Sequence, residues 1–190
     1  MNALKAPEVL DLYRHAGDAQ YAGEAVTQLQ HAWQCGQLAR LAGVPLELQL
    51  ASWLHDLGHL IMGLPGTPTL RGEDDRHEAV AAPVLQALWG ERVADPVRLH
   101  VQAKRYLVGR HPHYKQSLSE DSLRSLRLQG GAMDTYEQHL FEQLAFHRDA
   151  LKLRTWDDEG KRQGWFAPSP EAALSELGAL MTQVSDRRIR

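Results

Sequence analysis

The sequence predicts an all-α protein folded as a helical bundle, on three observations. Leu and Ala dominate its 190 residues with Gln and Glu frequent beside them, β-branched residues are sparse, and no stretch sustains the alternation of a half-buried strand. Apolar spacing predicts helices over 6–15, 18–42 and 46–61, the second closed by Gly43-Val44-Pro45. Residues 63–72, GLPGTPTLRG, are too rich in Pro and Gly for a regular helix and are expected to form a loop that lines a site. Helices are expected again over 75–89 and 93–107, then a loop over 109–119 containing His111-Pro112-His113-Tyr114. The next helix, 119–128, has Ser119 as its N-cap and Glu120 and Asp121 in its first turn. After a Gly130-Gly131 turn come helices over 133–154, 156–163 and 169–184, and residues 186–190 read as a frayed basic end. No connection is long enough to be a linker, so the chain is read as one domain, 1–190.

Composition narrows the class. The single cysteine, Cys35, allows neither an intrachain disulfide nor a cysteine-based zinc cluster, and a reducing cytoplasm is the simplest compartment. The N-terminal stretch has no apolar core of signal-peptide length and no uncharged apolar run could span a bilayer, so the expectation is neither export nor membrane insertion. With 21 Lys and Arg against 24 Asp and Glu, the net charge of −3 argues against a general nucleic-acid binder. Ten histidines are the excess to explain, because imidazole is both a metal ligand and a proton carrier near neutral pH.

Five of the ten fall into a pattern. His55 and His59 in WLHDLGHL are four apart and share a helical face, and Asp56 stands beside His55 among apolar neighbours that would bury it. A lone His-Asp pair is more often structural than functional. Here, however, His31 precedes it, with Glu24 seven residues earlier, and His77 in DDRHE, His100 and an acid of the Asp157-Asp158 pair follow on separate expected helices. Four histidines and two carboxylates exceed one tetrahedral zinc and suit two metals bridged by a carboxylate, for which Asp56 is the natural choice. Lys104 lies four residues after His100 on the same face, where its cation could meet an anionic substrate. His59 could add a hydrogen bond. Ser122 in the first turn after Ser119, and Gln129 before the glycine pair, complete a plausible oxyanion pocket.

These residues resemble the HD-domain proteins, whose signature of a His, a His-Asp pair and a distant Asp is matched by His31, His55-Asp56 and Asp157; the WDDEGK segment favours the first acid as the ligand. With Tyr21-Ala22-Gly23-Glu24, Lys104-Arg105-Tyr106-Leu107 and LSEDSLRSLRLQGGAM, the chain resembles the mixed-valent di-iron oxygenases of phosphonate catabolism, relatives of myo-inositol oxygenase. The resemblance implies two iron ions, Fe(II)/Fe(III), held by His31, His55, Asp56, His77, His100 and Asp157. It implies O2-dependent cleavage of the carbon–phosphorus bond of a 1-hydroxy-2-(amino or trimethylammonio)ethylphosphonate, giving phosphate and glycine or glycine betaine. Asp56, His59 and Lys104 would serve catalysis. Tyr21, Glu24, His59, Lys104, Ser122 and Gln129 would contact substrate, with Tyr21 displaced by it and Glu24 facing its amino end.

Two other readings share this metal core: a phosphohydrolase acting on a phosphoester or nucleotide, and a non-catalytic metal-dependent sensor. The amino substituent and the oligomeric state are left open. His15, His111, His113, His139 and His147 match no ligand position, Trp33, Trp53, Trp89 and Trp156 are expected in the core, and Trp165 and Phe166 are expected to anchor the last helix.

Overall fold

The computed structural model describes residues 4–189 apart from Ala22 and Pro65. Residues 1–3 of the N-terminal stretch, the alanine of the 21–24 segment, the first proline of the 63–72 loop and Arg190 of the basic end lie outside the described residues. Among the described residues there are ten α-helices and no strand, only an isolated bridge between Gln20 and Thr27. The expected all-α bundle is what the chain forms.

Helix α1 (Ala6–Ala16) has Pro7 in its first turn, which a fixed φ suits, and buries Val9 and Tyr13 one turn apart. Thr27 and Gln30 form a capping box at the start of α2 (Gln28–Leu41). The expected helix over 18–42 therefore starts ten residues later than its pattern indicated. Residues 18–27 form a loop, in which Gly23 takes a φ of 78° that favours glycine. The expected 46–61 helix is broken in two at the His-Asp pair, into α3 (Leu46–Leu54) and α4 (Leu57–Met62), with Asp56 at φ −99° and ψ 11°. That break turns His55 and Asp56 out of a common helical register.

The 63–72 loop contains one 3-10 turn, Pro68–Arg71, followed by α5 (His77–Trp89) and the long α6 (Glu91–Arg110), which outruns its expected 93–107 at both ends. Helix α7 (Glu120–Leu128) starts as expected, with Ser119 Oγ accepting from the Ser122 N–H at 3.3 Å. The expected 133–154 helix is α8 (Thr135–Glu142) and most of α9 (His147–Glu159), separated where Phe146 adopts a left-handed φ of 64°. No separate helix covers 156–163, because α9 runs through Trp156 and ends at Gly160. Helix α10 (Pro170–Ile189) continues through the basic residues read as frayed.

Packing pairs α5 with α6, α6 with α9, α2 with α3, and α3 with α6, around a core containing Leu50, Leu54, Leu57, Leu85, Leu153 and Leu177. Each such fully buried leucine contributes roughly 1.5–3 kcal/mol. Trp33, Trp53, Trp89 and Trp156 are buried as expected, and Trp165 and Phe166 stand edge-on against Trp33. A smaller cluster, including Leu99, Tyr106, Met133 and Phe141, ties α8 to α6 and α9. At the centre, α4 and α5 approach so closely that a Cβ on Gly58 would lie 2.0 Å from the His77 carbonyl oxygen. Only glycine allows that contact, which brings the start of α5 against the His-Asp turn.

Candidate metal centre

Four imidazoles converge on Asp56 from α2, the α3–α4 turn, α5 and α6. His31 Nε2 lies 3.2 Å from His55 Nε2, 3.6 Å from Asp56 Oδ2 and 3.4 Å from Asp157 Oδ1. His55 Nε2 lies 3.3 Å from Asp56 Oδ2 and 3.7 Å from Asp157 Oδ1. The other oxygen of Asp56, Oδ1, lies 3.2 Å from His77 Nε2 and 3.9 Å from His100 Nε2, and those two nitrogens are 3.1 Å apart. One carboxylate thus faces two separate clusters, one oxygen to each.

The donor chemistry fits metal. His31, His55 and His100 point Nδ1 at the carbonyl oxygens of Gly160, Ser52 and Val97, at 2.8, 2.9 and 2.7 Å. A carbonyl only accepts, so each Nδ1 donates outward and each Nε2 is the ring atom turned inward toward the carboxylates. Asp56 Oδ2 and Asp157 Oδ1 are buried with no hydrogen-bond partner, which is costly unless a cation completes them. Burial works against ionising Asp56, yet His55 and His77 hold its carboxyl well below the usual range; burial is likewise outweighed at Asp157 by Arg154 and the imidazoles. In return, against the pull of burial, the carboxylates lift His55 and His77 to about 10, whereas burial and those two neighbours push His100 well down. Among the described residues a third grouping, His31, Cys35 and His55, overlaps the first cluster, but burial raises the Cys35 thiol well above its ordinary value, so it stays protonated and donates to Trp156 O at 3.4 Å.

A cavity of about 490 Å³ opens beside Asp56, His77 and His100. Five of the six expected substrate-side residues line it: Tyr21, His59, Lys104, Ser122 and Gln129. Lys104 is buried, donates from Nζ to Ser125 Oγ at 2.6 Å, and is lowered to about 7 by burial and the Arg154 charge. Tyr21 stacks on the His31 ring at 3.9 Å, and burial with the Asp56 and Asp157 carboxylates raises its phenol well above the ordinary value. Gln129 donates to Asp74 at 3.5 Å and leaves its buried Oε1 without a partner. Glu24, the sixth, turns to Lys161 at 3.5 Å, and because residues 18–27 are a loop it shares no helical face with His31. The 63–72 loop does line the cavity, through Gly63, Leu64 and residues 66–69. His15, His111, His113 and His139 are exposed and His147 half-buried, all away from the centre.

Two charged residues that touch the candidate centre were missed by sequence reasoning. Arg154 is buried and pairs with Asp157 Oδ2 at 2.5 Å and with Asp158, which Tyr114 also meets. Asp157 therefore faces the imidazoles while Asp158 faces away toward Arg154 and Tyr114. Spacing alone held this signal, since Arg154 stands three and four residues before the two acids on one helical face. Asp75 is the second. It accepts from His77 Nδ1 at 3.0 Å and lies 2.8 Å from His59 Nδ1. Its only sequence signal was a place two residues before His77 in DDRHE.

No family model matches the chain. It is 39% identical over 174 residues to the hydroxymethylphosphonate dioxygenase of Gimesia maris, covering 91% of this chain and 86% of that protein. It is 37% identical over 157 residues to the glycine-betaine-forming 1-hydroxy-2-(trimethylamino)ethylphosphonate dioxygenase of Leisingera caerulea, covering 83% and 80%. An uncharacterized protein of Acanthamoeba polyphaga mimivirus is 36% identical over 162 residues, covering 80% and 71%. The extent of these matches, over a chain whose His/Asp cluster is able to bind metal, shows that it belongs to the family of phosphonate dioxygenases.

Proposed function

We propose that this protein is a di-iron oxygenase that uses O2 to cleave the carbon–phosphorus bond of a 1-hydroxylated short-chain phosphonate. The observation that carries the reading is the Asp56 carboxylate, whose two oxygens face separate imidazole pairs at the wall of a cavity that also holds a buried lysine. The reaction balances as RCH(OH)PO3H2 + O2 → RCOOH + H3PO4: the hydroxyl-bearing carbon is oxidised, O2 is reduced, and the C–P bond breaks. His31, His55 and Asp157 would hold one ion, His77 and His100 the other, and Asp56 both. Two irons, Fe(II) and Fe(III), would supply the redox chemistry when bound; the imidazole and carboxylate donors by themselves do not select iron.

The chain's own residues do the rest. Lys104, fixed by Ser125, presents a cation to the phosphonate, and burial strengthens that attraction relative to water. Burial lowers Lys104 to about 7, and a bound dianion favours its protonated form. Ser122 and Gln129 supply neutral hydrogen bonds, His59 directs Nε2 toward the Asp56 side of the cavity at 3.9 Å from Oδ1, and Tyr21 covers His31 against water. The deciding experiment measures phosphate release and O2 uptake with hydroxymethylphosphonate, 1-hydroxy-2-aminoethylphosphonate and its trimethylammonium analogue. One phosphate per O2 is expected with at least one of them, and phosphate release that continues without O2 would replace this reading with hydrolysis.

A further inference from the structure

We propose that Asp75 is a positioning residue that couples the His77–His100 half of the centre to the substrate-side His59 through a single carboxylate. The inference rests on the two-metal reading above, but its geometry is independent of the reaction. Oδ1 accepts from His77 Nδ1 at 3.0 Å and Oδ2 lies 2.8 Å from His59 Nδ1. The His77 backbone N–H also points at Oδ1, at 3.3 Å. The Asp75 side chain is only 8% exposed, and the two rings it holds are stacked with centroids 4.1 Å apart and planes 24° from parallel.

Three consequences follow from that arrangement. A carboxylate with an imidazole on each oxygen makes both Nδ1 atoms donors, so both Nε2 atoms are free to face the centre. The stack then lets neither ring turn without disturbing the other. And because His31, His55 and His100 are held by backbone carbonyls, His77 is the one imidazole among the four converging on Asp56 whose inward-facing Nε2 depends on a side chain for its direction. Asparagine at 75 offers one acceptor and one donor, so it can hold one of the two imidazoles in this state but not both.

The test titrates metal-free protein with Co(II) and reads the two binding steps by calorimetry and by the visible absorption of the ion, in wild type, Asp75→Asn, Asp75→Glu and His59→Gln. Asp75→Asn is expected to weaken one step by about 10–100-fold and leave the other within about threefold, with Asp75→Glu recovering part of the loss. His59→Gln, which removes the stacked ring but keeps the Asp75–His77 hydrogen bond, is expected to weaken that same step by less than Asp75→Asn does and to raise KM for the hydroxyphosphonate, and Asp75→Asn to raise it too. Equal weakening of both steps would mean general loosening and overturn the proposal, as would no change in either. A third Co(II) equivalent lost in Asp75→Asn, with the first two unchanged, would assign His59, Asp75 and His77 to an ion of their own and also overturn it. Because the titration needs no turnover, it stands or falls separately from the choice of reaction.

Discussion

The two ends of the Asp56 carboxylate meet different surroundings. On the Oδ2 side, His31 and His55 are wholly buried, their outer nitrogens held by main-chain carbonyls, Asp157 is pinned by Arg154, and Tyr21 lies flat over His31. On the Oδ1 side, His77 and His100 border the cavity, and the space beyond them holds His59, Lys104, Ser122 and Gln129. His31 and His55 are shut off from the cavity, which the Oδ2 half reaches only at its edge through Tyr21 and Asp157, while the Oδ1 half faces it directly, and the two halves share one carboxylate. The contrast teaches where each job is placed: retention in the helical core, recognition at the loop-covered wall.

The sharpest way to break the comparison is to remove what the halves share. Asp56→Ala is expected to lower bound metal from about two ions per chain to a small fraction of one and to bring turnover to background, whereas His31→Ala keeps about one ion, on the cavity side. Metal analysis after gel filtration separates the two results.

Stripping the metal from wild-type protein tests the same sharing through stability. At a free-metal concentration a thousandfold above Kd, bound metal stabilises the fold by about 4 kcal/mol, which chelation removes. What remains becomes pH-dependent. His55 and His77, raised to about 10 from an ordinary 6.5, contribute stability that is full below about pH 6.5 and is lost as pH rises through 10. Lys104, lowered from 10.5 to about 7, acts in the opposite sense, since its protonation penalty fades over the same range. Two losses against one gain predict that the urea midpoint of metal-free protein falls between pH 7 and 10, and that Lys104→Met steepens the fall.

Smaller effects sharpen the cavity side. Lys104→Met removes a charge-assisted hydrogen bond, so KM for the phosphonate is expected to rise about 10–100-fold, with less change in kcat; steady-state kinetics under saturating O2 read this split. Gly58→Ala forces α4 and α5 apart at the His77 carbonyl and is expected to cost about 1–3 kcal/mol in urea unfolding. In a Co(II) titration it should weaken the cavity-side step and spare the other.

Much of this was legible in the chain, for reasons that also explain what was not. Helix content and the candidate ligand positions reside in composition, spacing and family resemblance, and the structure gathers His31, His55, Asp56, His77, His100 and Asp157 at one point. The breaks were hidden. Residues 55–56 interrupt a good helical pattern because the cluster needs His55 and Asp56 on one side, and Phe146 enters the left-handed region with no glycine to announce it. Residues 18–27 carry helix-compatible residues that a capping box at Thr27 overrides. Asp75 escaped because His59, 16 positions before it, becomes its neighbour only after folding, and Arg154 because an i,i+3 and i,i+4 ion pair on a helix is as common on a solvated face as in a buried centre.

The outer hydrogen bonds of the four imidazoles have a consequence for inheritance. Every amino acid brings a main-chain carbonyl, so an exchange of one residue for another changes the side chain but leaves in place the kind of acceptor that orients His31, His55 and His100. The acceptor for His77 is one aspartate, and a single codon governs it. Variation that retunes this centre without dismantling it therefore has a natural point of entry at position 75, on the side that meets the substrate.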